Sequence, residues 1–107
     1  MNNAAVRMRD SLSIGDTGQL ALPVRLDLSA ASDLHGALLL RSGADLTIDA
    51  GGVAHLGGLC LQLLLAARDL WARTGHRLRV TPRSPAFAAA IDTFGLPARA
   101  LEHGADE

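Results

Sequence analysis

Apolar residues recur along this chain in two rhythms, and the rhythms take turns. From Gln19 to Leu22 the positions alternate apolar and polar, which predicts a half-buried strand; Pro23 ends it or puts it at an edge, and Val24 to Leu26 continues it. Ala30, Leu34, Ala37, Leu38 and Arg41 then follow at helical spacing, with Ser29 as the candidate N-cap and Gly43 as the stop. Leu46 to Ala50 returns to strand, with β-branched Thr47 and Ile48, and Gly51-Gly52 closes it. Val53 to Leu56 is a connector, and Gly57-Gly58 opens a long helix that runs to Thr74 and stops at Gly75. Leu78 to Thr81 is the next strand, ended by Pro82. Ser84 caps a last helix with Pro85 at its first position; Ala86 to Phe94 fills it and Gly95 ends it. Leu96 to Glu102 reads as a final short strand or a helical turn.

Strand, helix, strand, helix, strand, helix is the order of an α/β domain with helices covering a partly parallel sheet. A length of 107 residues suits one domain with a core of its own. Residues 1–11 are expected to be a flexible lead-in, with a short strand around Leu12 to Ile14 and a turn at Asp16-Thr17-Gly18. The domain is expected over 12–102, and 103–107 is a polar tail expected to fray.

The long helix is the least ordinary element. Gln62, Ala66, Asp69 and Arg73 make one narrow polar stripe, while Leu63, Ala67, Leu70 and Trp71 suit the sheet side. Leu61 and Leu65 fall near the boundary, with Leu65 the one expected to protrude. Leu59 and Cys60 are expected at an exposed helix start, where an apolar patch would suit a protein interface. The alternative is a helix simply well buried in its N-terminal half. Phe87 and Phe94, seven apart, are expected in the core.

Composition narrows the chemistry. Hydrophobic residues make up 49%, with one Trp, two Phe and no Tyr, so the core must be aliphatic. A formal charge of −1 and a pI near 6.4 offer no general attraction to nucleic acid or anionic membranes. All ten basic residues are Arg, as a GC-rich genome would produce. The single Cys60 excludes an intramolecular disulfide, and with no apparent signal peptide a reducing cytoplasm is expected. No stretch reaches the roughly 18 apolar residues of a membrane span, so direct membrane insertion is not expected.

Catalytic constellations are wanting. His35, His55, His76 and His103 are scattered, whereas a zinc site needs about four converging ligands; no metal and no cofactor is expected. Cys60 lies near a helix start that could activate a thiol, or it is a small buried hydrophobe. Gly51, Gly52, Gly57 and Gly58 form neither a phosphate-binding loop nor a dinucleotide fingerprint; glycine there permits a sharp turn. Ser29, Ser42 and Ser84 read as caps or helix ends. Asp27 and Asp49, both at strand-to-loop junctions, could pair for acid–base work or serve as turn and cap residues. An enzyme is not expected.

The strand–turn–helix over 46–67 resembles the signature of the STAS family, the domain of anti-anti-sigma factors and of sulfate-transporter tails. The family pattern is a strand, a connector ending in a hydrophobic residue, Asp-Ser/Thr-Ser/Ala-Gly-Leu, then an apolar helix. Here Val53-Ala54-His55-Leu56 takes the connector and Gly57-Gly58-Leu59-Cys60-Leu61 the motif. Leu20 to Asp27 also fits, with Asp27 matching the family's acidic residue, as do Leu78 to Pro82, Ser84 and Phe94-Gly95-Leu96. The likeness covers about residues 12 to 102 and is closest to short STAS proteins resembling the subunit of the bacterial lipid-asymmetry transporter, some of which accompany chemotaxis genes. It implies a single STAS-type domain, with a mixed four- to five-stranded sheet and helices packed mainly on one face.

In phosphorylated members a Ser or Thr after the Asp receives phosphate from a partner kinase. Those positions are Gly58 and Leu59 here, and the Asp position is Gly57, so the resemblance implies no phosphoacceptor at this site. The expected partner surface is Asp27, Ser29, Gly57, Gly58, Leu59, Cys60 and Gln62. The expected partner is a kinase-like ATPase of anti-sigma or chemotaxis signalling, or the ATPase of a lipid-type transporter that the domain braces. A nucleotide or lipid bound at the Gly-Gly turn, and homodimerisation through the apolar patch, are the further alternatives.

Overall fold

Leu46, Ile48 and Ala50 are buried while Asp49 is exposed, so the strand β3 (Leu46–Ala50) has one face inward and one outward. In the computed structural model, which describes residues 18–104, β3 lies between two parallel neighbours. On one side is β1 (Gln19–Ala21), with Leu20 opposite Ile48. On the other is β5 (Leu78–Arg83), with Val80 opposite the same Ile48. Leu20, Ile48 and Val80 therefore form one inward row across three strands, each at most 2% exposed. Gln19, Ala21, Asp49, Arg79 and Thr81 point the other way and are exposed. Parallel strands need crossovers, and helices supply them. The first crossover ends in α1 (Ala31–Leu40), and the second contains α2 (Gly58–Thr74); α3 (Pro85–Thr93) follows β5.

Among the described residues the five strands do not form one mixed sheet. They divide into the three-stranded set and a separate parallel pair, β2 (Arg25–Leu26) with β4 (His55–Leu56). Both chains break at the same level. Pro23 has no amide hydrogen to continue β1 into β2. Opposite it, the Asp49 carboxylate accepts from the Gly51 amide at 2.8 Å and the Val53 amide reaches Ala50 O at 3.3 Å, turning the chain between β3 and β4. Among the described residues, antiparallel pairing is confined to one bridge, Leu78 with His103. The strand expected at Leu12 to Ile14, and the residues 1–17 around it, lie outside the described residues.

The expected ends hold for α2 and α3 but not for α1. α2 ends at Thr74, and Gly75 adopts φ +75°, the left-handed conformation that only glycine takes freely. Ser84 caps α3, accepting from the Phe87 amide at 3.0 Å, with Pro85 first in the helix. Ser29 is not the N-cap of α1. A single 3-10 turn, Leu28–Ala30, precedes the helix, and Ala30 holds the cap position without a side-chain bond. The Ser29 hydroxyl is directed instead to Asp27. α1 ends at Leu40 rather than running to Gly43, because Arg41 and Ser42 close back on Leu38 and Leu39 in tighter turns. β5 continues through Pro82, joined to Thr81 by a cis peptide bond, to Arg83. An edge strand tolerates proline, since its outward amide pairs with no neighbour.

On α2 the buried stripe is Cys60, Leu61, Leu64, Ala67 and Trp71, while Leu63 and Leu70 are half-buried. The stripe is rotated from the expected sheet side because α2 also packs against α1, which buries Ala31, Leu34, Ala37 and Leu38. Gln62, Ala66, Asp69 and Arg73 are exposed as the spacing predicts. Trp71 donates its indole N–H to Ala44 O at 2.8 Å, which settles the polar edge of the largest core residue. Beyond α3, Leu96 to Glu102 forms turns, with Ala100 N bonded to Pro97 O and Glu102 N to Arg99 O. His103 is then pinned to Leu78 by two backbone bonds of 2.8 and 2.9 Å.

Candidate functional site

The small sheet exists to bring two loops together. In β2 and β4, Arg25 lies opposite His55 and Leu26 opposite Leu56. The chain leaves β2 at Asp27 and leaves β4 at Gly57, so both exits fall at the same end of the pair. The Gly57 amide donates to Leu26 O at 2.9 Å, and the Cys60 thiol donates to Asp27 O at 3.4 Å. Residues 31 and 33 apart in sequence thus meet, one through backbone alone and one through the Cys60 thiol. Those contacts leave little room: a Cβ placed on Gly57 would lie 3.2 Å from Leu26 O. Gly58 has more space, since a Cβ there would only touch the Phe94 ring at 4.0 Å.

α2 begins at this turn without a side-chain cap, Gly57 being extended at φ −86° and ψ 166°. Its first-turn amides are left to solvent or to a partner, apart from the onset of the helical ladder at Leu61 N to Gly57 O. Asp27 stands beside it. Its carboxylate accepts from the Ser29 hydroxyl at 2.7 Å and lies 3.6 Å from Arg25 Nε. The Ser29 hydrogen bond holds Asp27 below the ordinary carboxylate pKa; desolvation opposes it, and the Arg25 charge and backbone amides add to the lowering. Asp27 is therefore an anion fixed in orientation. Burial, with the Asp27 charge adding to it, pushes the Cys60 thiol up.

The expected site residues divide into those on the surface and those beneath it. Gly58, Leu59 and Gln62 are exposed, Ser29 is exposed, and Asp27 and Gly57 are half-buried. Cys60 is 1% exposed, so it lies under the turn and not at an exposed helix start. Its raised pKa and its bond to Asp27 O fit a packed thiol that ties the two loops. Asp49 does not face catalysis either: its carboxylate caps the Gly51 turn.

The surface also has members that the sequence pattern did not single out. Leu28 is 75% exposed directly after Asp27, and Val24 is 58% exposed directly before Arg25. Phe94, expected in the core, is 48% exposed. It occupies the C-cap of α3, off the face that buries Phe87 and Ile91, and its ring lies beside Gly58. With Leu59 at 43%, three large apolar side chains, Leu28, Leu59 and Phe94, are exposed at or beside the exits of β2 and β4, while Val24 lies at the entry to β2. Leu28 could have been suspected, because a leucine between a fixed carboxylate and a serine has no helical face to bury against. Nothing local marks Phe94.

Among the described residues no helix is long and apolar enough to cross a membrane, and no group of three or more His, Cys, Asp and Glu could hold a metal. The two strand exits thus present an uncapped helix start with Leu28, Leu59 and Phe94 exposed around it. A model of the family described as "Mlab, STAS domain" matches residues 13–101, and the chain belongs to the STAS domain family. It is a regulatory and protein-interaction module of that family, whose domains are generally non-enzymatic. No curated protein and no solved structure matched the chain.

Proposed function

We propose that this protein is a cytoplasmic, non-enzymatic interaction module that docks an ATPase partner on the turn formed by Asp27, Ser29, Gly57, Gly58, Leu59 and Gln62. The observation that carries it is the convergence of the two loops, with Leu28, Leu59 and Phe94 exposed around the meeting point. Leu59 supplies apolar area at the centre. Asp27, locked by Ser29 and Arg25, supplies a fixed negative group at the rim. The glycines let a partner backbone come close. Cys60 contributes by holding the loops in place from beneath.

A kinase-like signalling ATPase, of the anti-sigma or chemotaxis kind, is the first partner class. Gly58 and Leu59 carry no hydroxyl, so phosphate at those two positions does not switch the complex on and off. The second reading is a subunit that braces the ATPase of a lipid-type transporter. It is favoured by the description of the matched family and by the same lack of a hydroxyl, since a permanent brace requires no phosphate switch.

Affinity capture from native lysate, followed by titration of the recovered partner with purified wild-type and Leu59→Asp protein, tests the docking turn. One ATPase bound by wild type and lost in the variant supports it. A partner that binds both equally places the interface elsewhere. A kinase or a transporter ATPase among the recovered proteins separates the two readings.

A further inference from the structure

β5 is an edge strand of the three-stranded sheet, and its outer side is closed group by group. Leu46 N donates to Arg77 O at 2.9 Å, and Thr47 and Ile48 of β3 lie opposite Arg79 and Val80. Backbone groups alternate along a strand, so those of residues 77, 79 and 81 face β3, and those of Leu78 and Val80 face outward. An open row of such groups is a template for pairing with another chain. Here each has a partner inside the fold. Leu78 exchanges two bonds with His103, at 2.8 and 2.9 Å. The Val80 amide donates to Glu102 Oε2 at 2.9 Å, and Val80 O accepts from Arg83 Nε at 3.0 Å. Pro82, which follows, has no amide hydrogen to offer.

Two of the closing residues, Glu102 and His103, come from the turns after α3, and little buried surface holds those turns. Pro97, Ala98 and Arg99 are exposed, and Leu101 is the one buried residue of 97–103. Glu102 makes much of the remaining attachment. Its side chain is 16% exposed, and Oε2 lies 3.6 Å from Arg83 Nη2 as well as on the Val80 amide. Its backbone O accepts from Arg68 Nε on α2 at 3.2 Å. Arg83 is steadied from its other side by the Phe87 ring, whose centre is 5.8 Å from the guanidinium carbon. One residue thus ties the turns to the strand edge, to Arg83 and to α2. Segments with few buried apolar contacts open locally before the domain unfolds, so closure of the edge depends on Glu102.

We propose that residues 97–103 guard the β5 edge, with Glu102 as the latch, and that they keep β5 from pairing with the β5 of a second copy. The occupant follows from the edge itself. About a two-fold axis through Arg79, Leu78 of one copy can exchange both backbone bonds with Val80 of the other, and Val80 with Leu78. The unguarded edge is therefore complementary to itself. Pro82 confines that pairing to the first half of the strand, so the dimer is short and reversible. The guard shares no residue with the docking turn and acts whatever partner that turn takes.

The test is the oligomeric state of the full chain by sedimentation velocity over a concentration series, with amide exchange read by NMR. Glu102→Ala should lower the dimer dissociation constant by at least about tenfold relative to wild type. Its Leu78 and Val80 amides should exchange faster in the dilute monomer and slow again as the dimer forms, with Ile48 on β3 unchanged. Glu102→Gln keeps an oxygen acceptor for the Val80 amide and should associate no more than wild type. His103→Pro removes the amide that bonds Leu78 O and leaves Glu102 in place. It should dimerise as Glu102→Ala does, and it decides the question if Glu102→Ala fails to fold. Each variant is also made with Leu59→Asp, which removes association through the docking turn. Dimers that persist with Leu59→Asp and protect the Leu78 and Val80 amides support the guard. Folded variants that associate no more than wild type, dimers lost with Leu59→Asp, or dimers that leave both amides unprotected overturn it.

Discussion

Two helices of this protein start in opposite ways. α3 starts at Ser84, whose hydroxyl accepts from the Phe87 amide and donates to Val53 O, with Pro85 preset for the first turn. Ser84 is 8% exposed, and everything at that start is satisfied within the fold. α2 starts at Gly57 with no capping side chain, glycine again at its first position, and Leu59 exposed. Glycine inside a helix costs up to about 1 kcal/mol relative to alanine, so Gly58 adds nothing to this start. The longest helix of the domain therefore has the weaker start. One start serves the fold. The other forgoes local stability at a place where apolar side chains face outward, which is what a docking surface requires.

Five substitutions test that contrast. Ser84→Ala removes a cap and strands the buried Val53 carbonyl, so it should destabilise the domain by about 2 kcal/mol in urea unfolding. A loss near zero would put the two starts on an equal footing. Leu59→Asp should weaken partner binding about 10- to 100-fold while unfolding changes by less than about 0.5 kcal/mol, because an exposed position contributes little to the fold. If unfolding suffers as much as binding, the α2 start is structural after all.

Gly58→Ala separates the two roles directly. The new methyl would meet the Phe94 ring at an ordinary 4.0 Å, so thermal or urea unfolding should show a gain of about 0.5–1 kcal/mol. Partner affinity should fall, since the methyl stands where a partner backbone approaches. The smallest effect is electrostatic. Ser29→Ala removes the main cause of the lowered Asp27 pKa, so its NMR titration should move up toward the ordinary carboxylate value of 3.8. A depressed folded pKa stabilises above the ordinary carboxylate range and ceases to as the pH falls through the folded value. The stability advantage of wild type over Asp27→Asn should therefore fade on acidification below that range, and a pH series of urea midpoints would show it.

Much of the domain was legible in the residues, and what was legible had a local cause. Gly75 ends α2, Ser84 and Pro85 start α3, and Gln62, Ala66, Asp69 and Arg73 face solvent, because each depends on atoms within a few residues. The glycine turn and its likeness to a STAS motif were also readable. The buried face of α2 and the depths of Cys60 and Phe94 were not. Ser29 had the right chemistry for an N-cap, yet the Asp27 carboxylate next to it is the better acceptor for its hydroxyl. Cys60 and Leu59 are neighbours at one helix start, and α1 and the Asp27 loop decide that only one of them is covered.

The sequence by itself determined the alternation of strands and helices, the Gly75 stop, the Ser84 cap, and a Gly57-Gly58-Leu59 stretch that carries no hydroxyl. Only the tertiary structure decided that the strands split three and two, that Asp27 meets Cys60 across 33 positions of chain, that Phe94 comes out beside Gly58, and that Glu102 braces Arg83. The reason is range. Propensity, capping and periodicity act within one or two turns of chain, and composition expresses them. Strand pairing and side-chain depth are set by segments tens of residues apart, whose meeting depends on where Pro23 and the Gly51-Gly52 turn let two parallel strands stop together.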